Sequence, residues 1–262
     1  MLGRVRLVVV LGLVALATLA ILPFQLIGLL CWPWLARTMP ILFHKIVLVL
    51  VGVRVAINGN PARARPLMIV SNHLSWLDIV VLSSVLPVSF VAKAEMKSWP
   101  VFGQLAWLQR TIFVKREERR RSGDQANEIA ERLLAQDVIV LFPEGTTSDG
   151  HGLYPFKTTL FEAARFALVT SDLDHAIIQP VALDYSHLHG LPLGRQWKQH
   201  VAWPGDVSLG ENMIPLIKRS ALDVTVNFAE PILFTAESKR KTVAAQARSS
   251  INTMLQNNSR QS

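Results

Sequence analysis

The segment Leu67-Met68-Ile69-Val70-Ser71-Asn72-His73-Leu74-Ser75-Trp76-Leu77-Asp78 joins an apolar run to a histidine and a carboxylate. The run at 67–70 is typical of a strand that is buried on both faces. Residues 77–86 follow with the apolar spacing of a helix. A strand that passes through a short polar turn into a helix is a building unit of α/β sheets.

The same alternation continues beyond Gly59, Asn60 and Pro61. Further strands are predicted at 89–92, 112–114, 138–142, 177–183 and 224–228. Helices are predicted at 99–108, 125–134 and 160–168, and a polar helix at 237–256. Strands that alternate with helices indicate an α/β sheet with helices on both faces. We expect this domain to span residues 58–262.

Residues 1–57 form a separate apolar segment. Residues 7–36 contain no charge, and about 20 apolar residues suffice to cross a bilayer. A second apolar stretch at 39–55 is interrupted by His44, Lys45 and Arg54. The first run is too long for a cleaved signal peptide, whose apolar core spans about 7 to 15 residues. Two arrangements remain open: a helical hairpin, or one span followed by an interfacial helix.

The net charge of +8 is concentrated in the apolar third of the chain. Residues 1–77 contain seven basic residues and no acidic one, whereas the remainder is nearly neutral. This distribution favours contact with anionic lipid headgroups over a nucleic-acid groove, and we expect no nucleic-acid partner. Cys31 is the only cysteine, which excludes a disulfide framework and a cysteine metal site within this chain.

The first candidate for chemistry is the pair His73 and Asp78. A carboxylate five positions after a histidine, on the first turn of a helix, can hydrogen-bond one ring nitrogen. The other nitrogen can then take a proton from a hydroxyl. By itself this spacing is weak evidence, because histidines and aspartates recur at such distances by chance.

Two further motifs follow predicted strands. The turn Phe142-Pro143-Glu144-Gly145-Thr146-Thr147 offers backbone N–H groups to an oxygen-rich ligand and holds Glu144 at the mouth of a site. The alternative is an ordinary turn with a solvated glutamate. The strand that ends in Lys115 and Arg116 is followed by a run of charged residues. Arg116 is the residue of this run that we expect to belong to a functional site.

Together these motifs resemble the glycerolipid acyltransferase family, which includes the 1-acylglycerol-3-phosphate acyltransferases. The family's first block is matched by Asn72, His73 and Asp78, and its second by Phe113 and Arg116. Residues 142–146 match the third block in full, and Pro180 matches the fourth. One departure is Thr147, where relatives carry Arg or Ser. Without that arginine, Lys93, Arg116 or Lys157 would pair an acceptor phosphate.

The resemblance implies transfer of a fatty acyl group from an acyl carrier protein or coenzyme A thioester to the free hydroxyl of 1-acyl-sn-glycerol-3-phosphate, forming phosphatidic acid. Segments 145–150, 187–190 and 203–206 are also similar to a bacterial branch that includes the lyso-ornithine lipid acyltransferases, which is the alternative activity. A lipid-binding module without catalysis is a third reading, and the presence of His73, Asp78 and Glu144 speaks against it.

The implied site has His73 as general base and Asp78 as its orienting charge. Substrate-binding residues are then Asn72, Lys93, Arg116, Glu144, Gly145 and Thr146. The resemblance implies that no acyl-enzyme forms, and the absence of the Gly-x-Ser-x-Gly motif of α/β-hydrolases agrees with this. We expect no metal or redox cofactor, the acyl thioester being a co-substrate.

The resemblance also implies where the protein works. Acyl thioesters are made in the cytoplasm, so we expect the hairpin, which keeps the domain on the cytoplasmic face of the bacterial inner membrane. The expected partners are membrane lipids, the lysolipid acceptor and the carrier of the acyl group.

Overall fold

The apolar runs predicted from the sequence form one mixed sheet in the computed structural model, which describes residues 1–114, 122–171, 173–205, 207–219 and 221–261. Its strands within these ranges are β1 Val53–Asn58, β2 Leu67–Ser71, β3 Val88–Lys93, β4 Ile112–Val114, β5 Val138–Leu141, β6 Ala176–Leu188, β7 Leu191–Pro192, β8 Leu222–Phe228 and β9 Ile232–Phe234. The strand order is β1-β8-β6-β2-β5-β3-β4, with β7 and β9 paired to β6. All six predicted strands are present.

Parallel pairing places the carboxyl ends of several strands at one edge. Strands β2, β3, β4 and β5 run in the same direction as β6, whereas β8 is antiparallel to β6. We call the edge where β2 ends the carboxyl edge, and the edge where β2 begins the amino edge. Ligand sites of parallel sheets lie at the carboxyl edge, and the motifs at 72–78 and 142–147 both follow strands that end there.

Helices cover both faces, as predicted. They are α1 Leu2–Cys31, α2 Pro33–Val51, α3 Leu77–Val85, α4 Phe102–Leu108, α5 Ser122–Leu134, α6 Glu162–Val169, α7 Arg195–Lys198, α8 Leu209–Arg219 and α9 Arg240–Gln261. Alternate residues of β2 enter different cores: Ile69 packs in one with α2 and α3, and Met68 in the other with α5, α6 and α9. This two-sided burial explains why β2 reads as a continuous apolar run.

The first two helices form the expected hairpin. Both are long and apolar enough to cross a membrane by length and composition. The turn between them is tight, since a Cβ on Gly28 would lie 2.4 Å from the main-chain nitrogen of Ala36. Much of α1 presents exposed apolar side chains, among them Leu16, Leu19 and Phe24. Such an uncovered apolar face suits membrane attachment.

The hairpin is not separate from the domain in its packing. Val47, Leu48 and Val51 of α2 belong to the same buried core as α3. Gly52 ends α2 with φ of 81°, a conformation that glycine adopts at little cost. The chain then enters β1, which pairs with β8. The apolar stretch predicted at 39–55 therefore contains a helix and the start of a strand, and the predicted division after residue 57 falls inside β1.

Candidate active site

The predicted histidine and carboxylate meet at the carboxyl edge. His73 comes two residues after the end of β2, and Asp78 lies in the first turn of α3. Nδ1 of His73 lies 2.8 Å from Oδ2 of Asp78. A carboxylate oxygen accepts, so the ring carries its hydrogen on Nδ1 and Nε2 is the basic nitrogen. The ring is 16 % exposed, which leaves it accessible to a substrate hydroxyl.

Asp78 is fully buried, and both of its oxygens accept hydrogen bonds. Oδ2 also accepts the main-chain N–H groups of Leu74, at 2.6 Å, and Ser75, at 2.9 Å. Oδ1 accepts the hydroxyl of Tyr185 at 2.6 Å. Burial raises the pKa of Tyr185 well above its ordinary value, and the Asp78 charge raises it further, so the phenol remains a donor. Several donors are what a buried carboxylate requires to stay charged.

The ring of Phe142 covers one side of His73. The two rings are stacked with centroids 4.0 Å apart and planes 13° apart. Phe142 stacks in turn on Phe90 of β3, at 6.0 Å. The stack on Phe142 fixes the plane of the imidazole ring. The hydrogen bond to Asp78 fixes the orientation of the ring within that plane. The first residue of the Phe142 motif therefore orients the base.

Glu144 is 3 % exposed, so it is not the solvated glutamate of an ordinary turn, which the sequence left open as the alternative. Its side chain accepts the main-chain N–H of His73 at 2.9 Å on Oε1 and that of Tyr154 at 2.8 Å on Oε2. Burial raises the pKa of Glu144 above its ordinary value, although these two N–H donors oppose the rise. The reading of Glu144 as a solvated turn residue is wrong, because its carboxylate ties three segments together.

Thr147 also has a structural partner. It is buried, and its hydroxyl donates to the main-chain carbonyl of Trp203. The Trp203 N–H donates to the carbonyl of Leu74 at 2.8 Å, and the Ser148 N–H donates to the carbonyl of His73, also at 2.8 Å. The threonine that replaces the family's arginine or serine therefore binds the segment at 203–205 to the catalytic turn.

The remaining motif residues occupy distinct places around the base. The Asn72 amide binds the main chain of Leu183 twice, donating to its carbonyl at 3.0 Å and accepting its N–H at 2.8 Å. Gly145 has φ of 76° and its N–H donates to the Phe142 carbonyl at 3.0 Å. Thr146 is exposed beside Gly205. Asn72 thus joins β2 to β6, and Gly145 shapes the turn.

Cations surround this edge. Lys93 is the last residue of β3 and is exposed. Lys157 lies against the 142–147 turn, since its N–H donates to the Pro143 carbonyl at 2.8 Å and its Nζ would be 2.5 Å from a Cβ on Gly145. Arg116, the third candidate, lies outside the described residues. Lys157 therefore lies beside the 142–147 turn, and Lys93 lies where β3 reaches the same edge of the sheet.

The contribution of Tyr185 was not predicted. The predicted strand ended at residue 183, whereas β6 continues to Leu188. Val181, Leu183 and Tyr185 lie on alternate positions and share one core, and this period of two was the signal available in the sequence. The hydrogen bond between Tyr185 and Asp78 joins residues 107 positions apart, and no local sequence pattern indicates such a contact.

Comparison with known proteins agrees with this geometry. The family model Acyltransferase matches residues 52–184. The chain is 44 % identical over 256 residues to the lyso-ornithine lipid O-acyltransferase of Brucella abortus, covering 98 % of this chain and 96 % of that protein. It is 43 % identical over 108 residues to the 1-acyl-sn-glycerol-3-phosphate acyltransferase of Neisseria gonorrhoeae, covering 40 % of this chain and 42 % of that one.

A solved structure shares the fold. The 1-acyl-sn-glycerophosphate acyltransferase PlsC of Thermotoga maritima superposes with a TM-score of 0.57 at 17 % identity, covering 93 % of this chain and 95 % of the other. An oriented, accessible imidazole at the carboxyl edge is a general base suited to activating a hydroxyl. With these matches, the chain belongs to the glycerolipid acyltransferase family and is an O-acyltransferase.

Proposed function

We propose that this protein transfers a fatty acyl group from an acyl thioester to the free hydroxyl of a lyso-ornithine lipid, at the cytoplasmic face of the membrane. The observation that carries the proposal is the extent of similarity. Identity to the lyso-ornithine lipid O-acyltransferases of Brucella abortus and Rhizobium meliloti extends over 98 % and 93 % of this chain. The Neisseria gonorrhoeae relative named for the glycerophosphate acceptor matches 40 % of it.

The surroundings of Thr147 support this acceptor. Its buried hydroxyl is bonded to the Trp203 carbonyl, so the position holds the 203–205 segment in place of a phosphate-binding arginine. That segment is one of those that resemble the lyso-ornithine branch. Under this proposal Lys157 and Lys93 pair with the carboxylate of the amino-acid head.

The proposed reaction proceeds without an acyl-enzyme. Nε2 of His73 takes the proton of the acceptor hydroxyl as its oxygen attacks the thioester carbonyl, and Asp78 stabilises the imidazolium. The C–S bond then breaks, and the imidazolium returns the proton to the departing thiolate. General-base assistance of this kind is worth about 10² to 10⁴ in rate. The Leu183 contacts of Asn72 support a positioning role for this residue.

A second candidate acceptor is 1-acyl-sn-glycerol-3-phosphate. The position of Lys157 favours it, because an ammonium group beside the Gly145 turn can also pair with a phosphate. In that case Lys157 and Lys93 take over the role of the missing arginine. The two candidates share His73 and Asp78 and differ in the acceptor lipid.

Acyl transfer to the two acceptors decides between them. Purified full-length protein in mixed micelles is given an acyl carrier protein or coenzyme A thioester with either lyso-ornithine lipid or 1-acylglycerol-3-phosphate, and the products are quantified by mass spectrometry. We expect a kcat/KM at least tenfold higher for lyso-ornithine lipid. A preference for the phosphate acceptor would overturn the proposal. His73→Ala, prepared identically, controls for acyltransferases carried over from the host.

A further inference from the structure

A cluster of arginines lies at the amino edge, far from the catalytic pair. Arg37 of α2, Arg110 before β4 and Arg132 of α5 all reach the carboxylate of Asp137, at 3.4, 3.0 and 2.6 Å. Asp137 immediately precedes β5 and its side chain is 6 % exposed. Three cations therefore share one buried anion, and the cluster carries an excess positive charge.

The cluster is held in place before any ligand arrives. Arg132 also donates to the Ser89 hydroxyl at 2.9 Å and to the main-chain carbonyl of Arg110 at 3.2 Å. Burial and the charge of Arg132 both lower the pKa of Arg110, which Asp137 only partly offsets. Guanidinium groups fixed in this way favour an anion that can be bound by two N–H groups at once.

Arg110 and Arg132 line an open cleft of about 520 Å³. Its charged wall consists of Arg110, Arg132, Lys97 and Glu128. Its apolar wall consists of Leu29 of α1, Trp107 of α4 and Phe113 of β4. Cations facing apolar and aromatic side chains suit an amphipathic ligand better than a fully hydrated one.

The cleft lies beside the hairpin turn. Leu29 belongs to the last turn of α1, and Arg37 to the first turns of α2. Between them, Trp32 and Trp34 are 62 % and 66 % exposed. Exposed tryptophans next to apolar helices are typical of the level of lipid headgroups. If the hairpin lies along the membrane surface with these tryptophans in the headgroup layer, the cleft is level with the phospholipid phosphates.

This position separates the cleft from acyl transfer. Arg110 and Asp137 come just before β4 and β5 at the amino edge, whereas Lys97 follows the end of β3. The cleft lies over the edge strand β4, which is three positions from β2 in the sheet, and His73 follows β2 at the carboxyl edge. The acceptor headgroup, which must be near His73, cannot occupy the cleft.

We propose that the cleft binds the phosphate of an anionic glycerophospholipid of the surrounding membrane, as a site distinct from the catalytic one. Arg110 and Lys97 bind the phosphate, Arg132 is held by Asp137 to support them, and Leu29 and Trp107 contact the start of the acyl chains. The lipid fixes the hairpin turn against the domain. Inorganic phosphate presents the same charged group, so the experiment must distinguish binding of the lipid from binding of inorganic phosphate.

The test uses detergent-solubilised full-length protein, titrated with phosphatidylglycerol, phosphatidylcholine or inorganic phosphate. Binding is followed by native mass spectrometry and by the shift in Tm. We expect binding of phosphatidylglycerol that Arg110→Gln weakens about tenfold or more, the effect of losing a charge-assisted hydrogen bond. Lys97→Gln, which leaves the Asp137 cluster intact, should weaken it as well. Lys241→Gln on exposed α9 removes the same charge elsewhere and should change nothing.

Each contrary outcome overturns the proposal. Equal affinity in the Arg110→Gln and Lys97→Gln variants would show that the cleft does not bind the lipid. Equal binding of phosphatidylcholine, or stabilisation by inorganic phosphate at the same concentration, would remove the lipid specificity. An increased KM for acyl carrier protein thioester in both variants, with phosphatidylglycerol binding unchanged, would identify the cleft as a protein-docking surface.

Discussion

Replacing Asp78 with asparagine separates the charge of this carboxylate from its hydrogen bonds. An amide oxygen at the Oδ2 position can still accept from His73, Leu74 and Ser75, the three donors found there. The amide nitrogen then takes the Oδ1 position, opposite the Tyr185 hydroxyl. A hydroxyl can turn to accept, so no donor is left facing a donor. We expect the variant to fold and to keep the His73 hydrogen on Nδ1.

The loss of charge should nevertheless be costly for catalysis. The imidazolium that forms during transfer has Nδ1 2.8 Å from Oδ2. At an effective dielectric constant of about 20, a full ion pair at that distance is worth about 6 kcal/mol. The amide dipole retains part of this, and a loss of about 3 kcal/mol corresponds to more than a hundredfold in rate. We expect kcat to fall about 10² to 10⁴-fold, with both KM values within about threefold.

Steady-state acyl transfer with each substrate varied separately measures this effect, and a thermal melt in detergent checks the fold. A kcat within threefold of the wild type, at unchanged Tm, would refute the role of the Asp78 charge. The double variant Asp78→Asn/Tyr185→Phe provides the matched control. Losing the Tyr185 hydroxyl leaves a charged oxygen of Asp78 without its donor in the wild type but only a neutral amide without a partner in the Asn variant. The double variant should therefore lose less stability than the two single changes combined.

Three further outcomes follow from the same contacts. His73→Ala should lower the rate of acyl transfer at least a hundredfold while the protein stays in the membrane fraction. A fully active variant would show that His73 is not the general base. Burial raises the pKa of Glu144 above its ordinary value of 4.5. The stability of the wild type relative to Glu144→Gln should therefore be greatest below pH 4.5 and should decrease as the pH rises through the raised pKa. A difference in Tm that does not change with pH would contradict this. Deleting residues 1–31 should make the protein leave the membrane fraction or become insoluble, whereas complete release of the intact chain by high salt would show that the apolar helices are not inserted.

The central strands were predictable because they are buried on both faces. Strands β2 and β5 read as unbroken apolar runs, and their predicted bounds agree with the structure to within one residue. Strand β1 was not predicted, because its residues continue the apolar stretch from which the hairpin was predicted. Its apolar residues Val53 and Val55 continue the run of α2, and only Gly52 marks the change of backbone.

The site was predictable at the level of motifs but not of contacts. His73 and Asp78 are five residues apart, so a local turn can join them, and the sequence indicated their pairing. The supporting contacts are long-range: Glu144 holds the His73 main chain and Tyr185 binds Asp78. Burial of Glu144 could not be anticipated, because a Pro-Glu-Gly turn is ordinarily solvated and this one is covered by residues near Tyr154.

From the packing of α2 against α3 we expect the apolar hairpin to contribute to catalysis as well as to membrane attachment. Asp78 begins α3 at the carboxyl edge, and α2 ends at that same edge, where β1 starts beside β8. Arg6 of α1 holds this end by donating to the carbonyls of Leu50 and Val51, at 3.3 and 2.9 Å. A lysolipid keeps its acyl chain in the bilayer while its hydroxyl must reach His73. Because α2 and α3 share one core, the depth of the hairpin in the membrane sets the height of the base above it. A change in the α2–α3 contact should therefore alter acceptor turnover even where His73 and Asp78 are untouched.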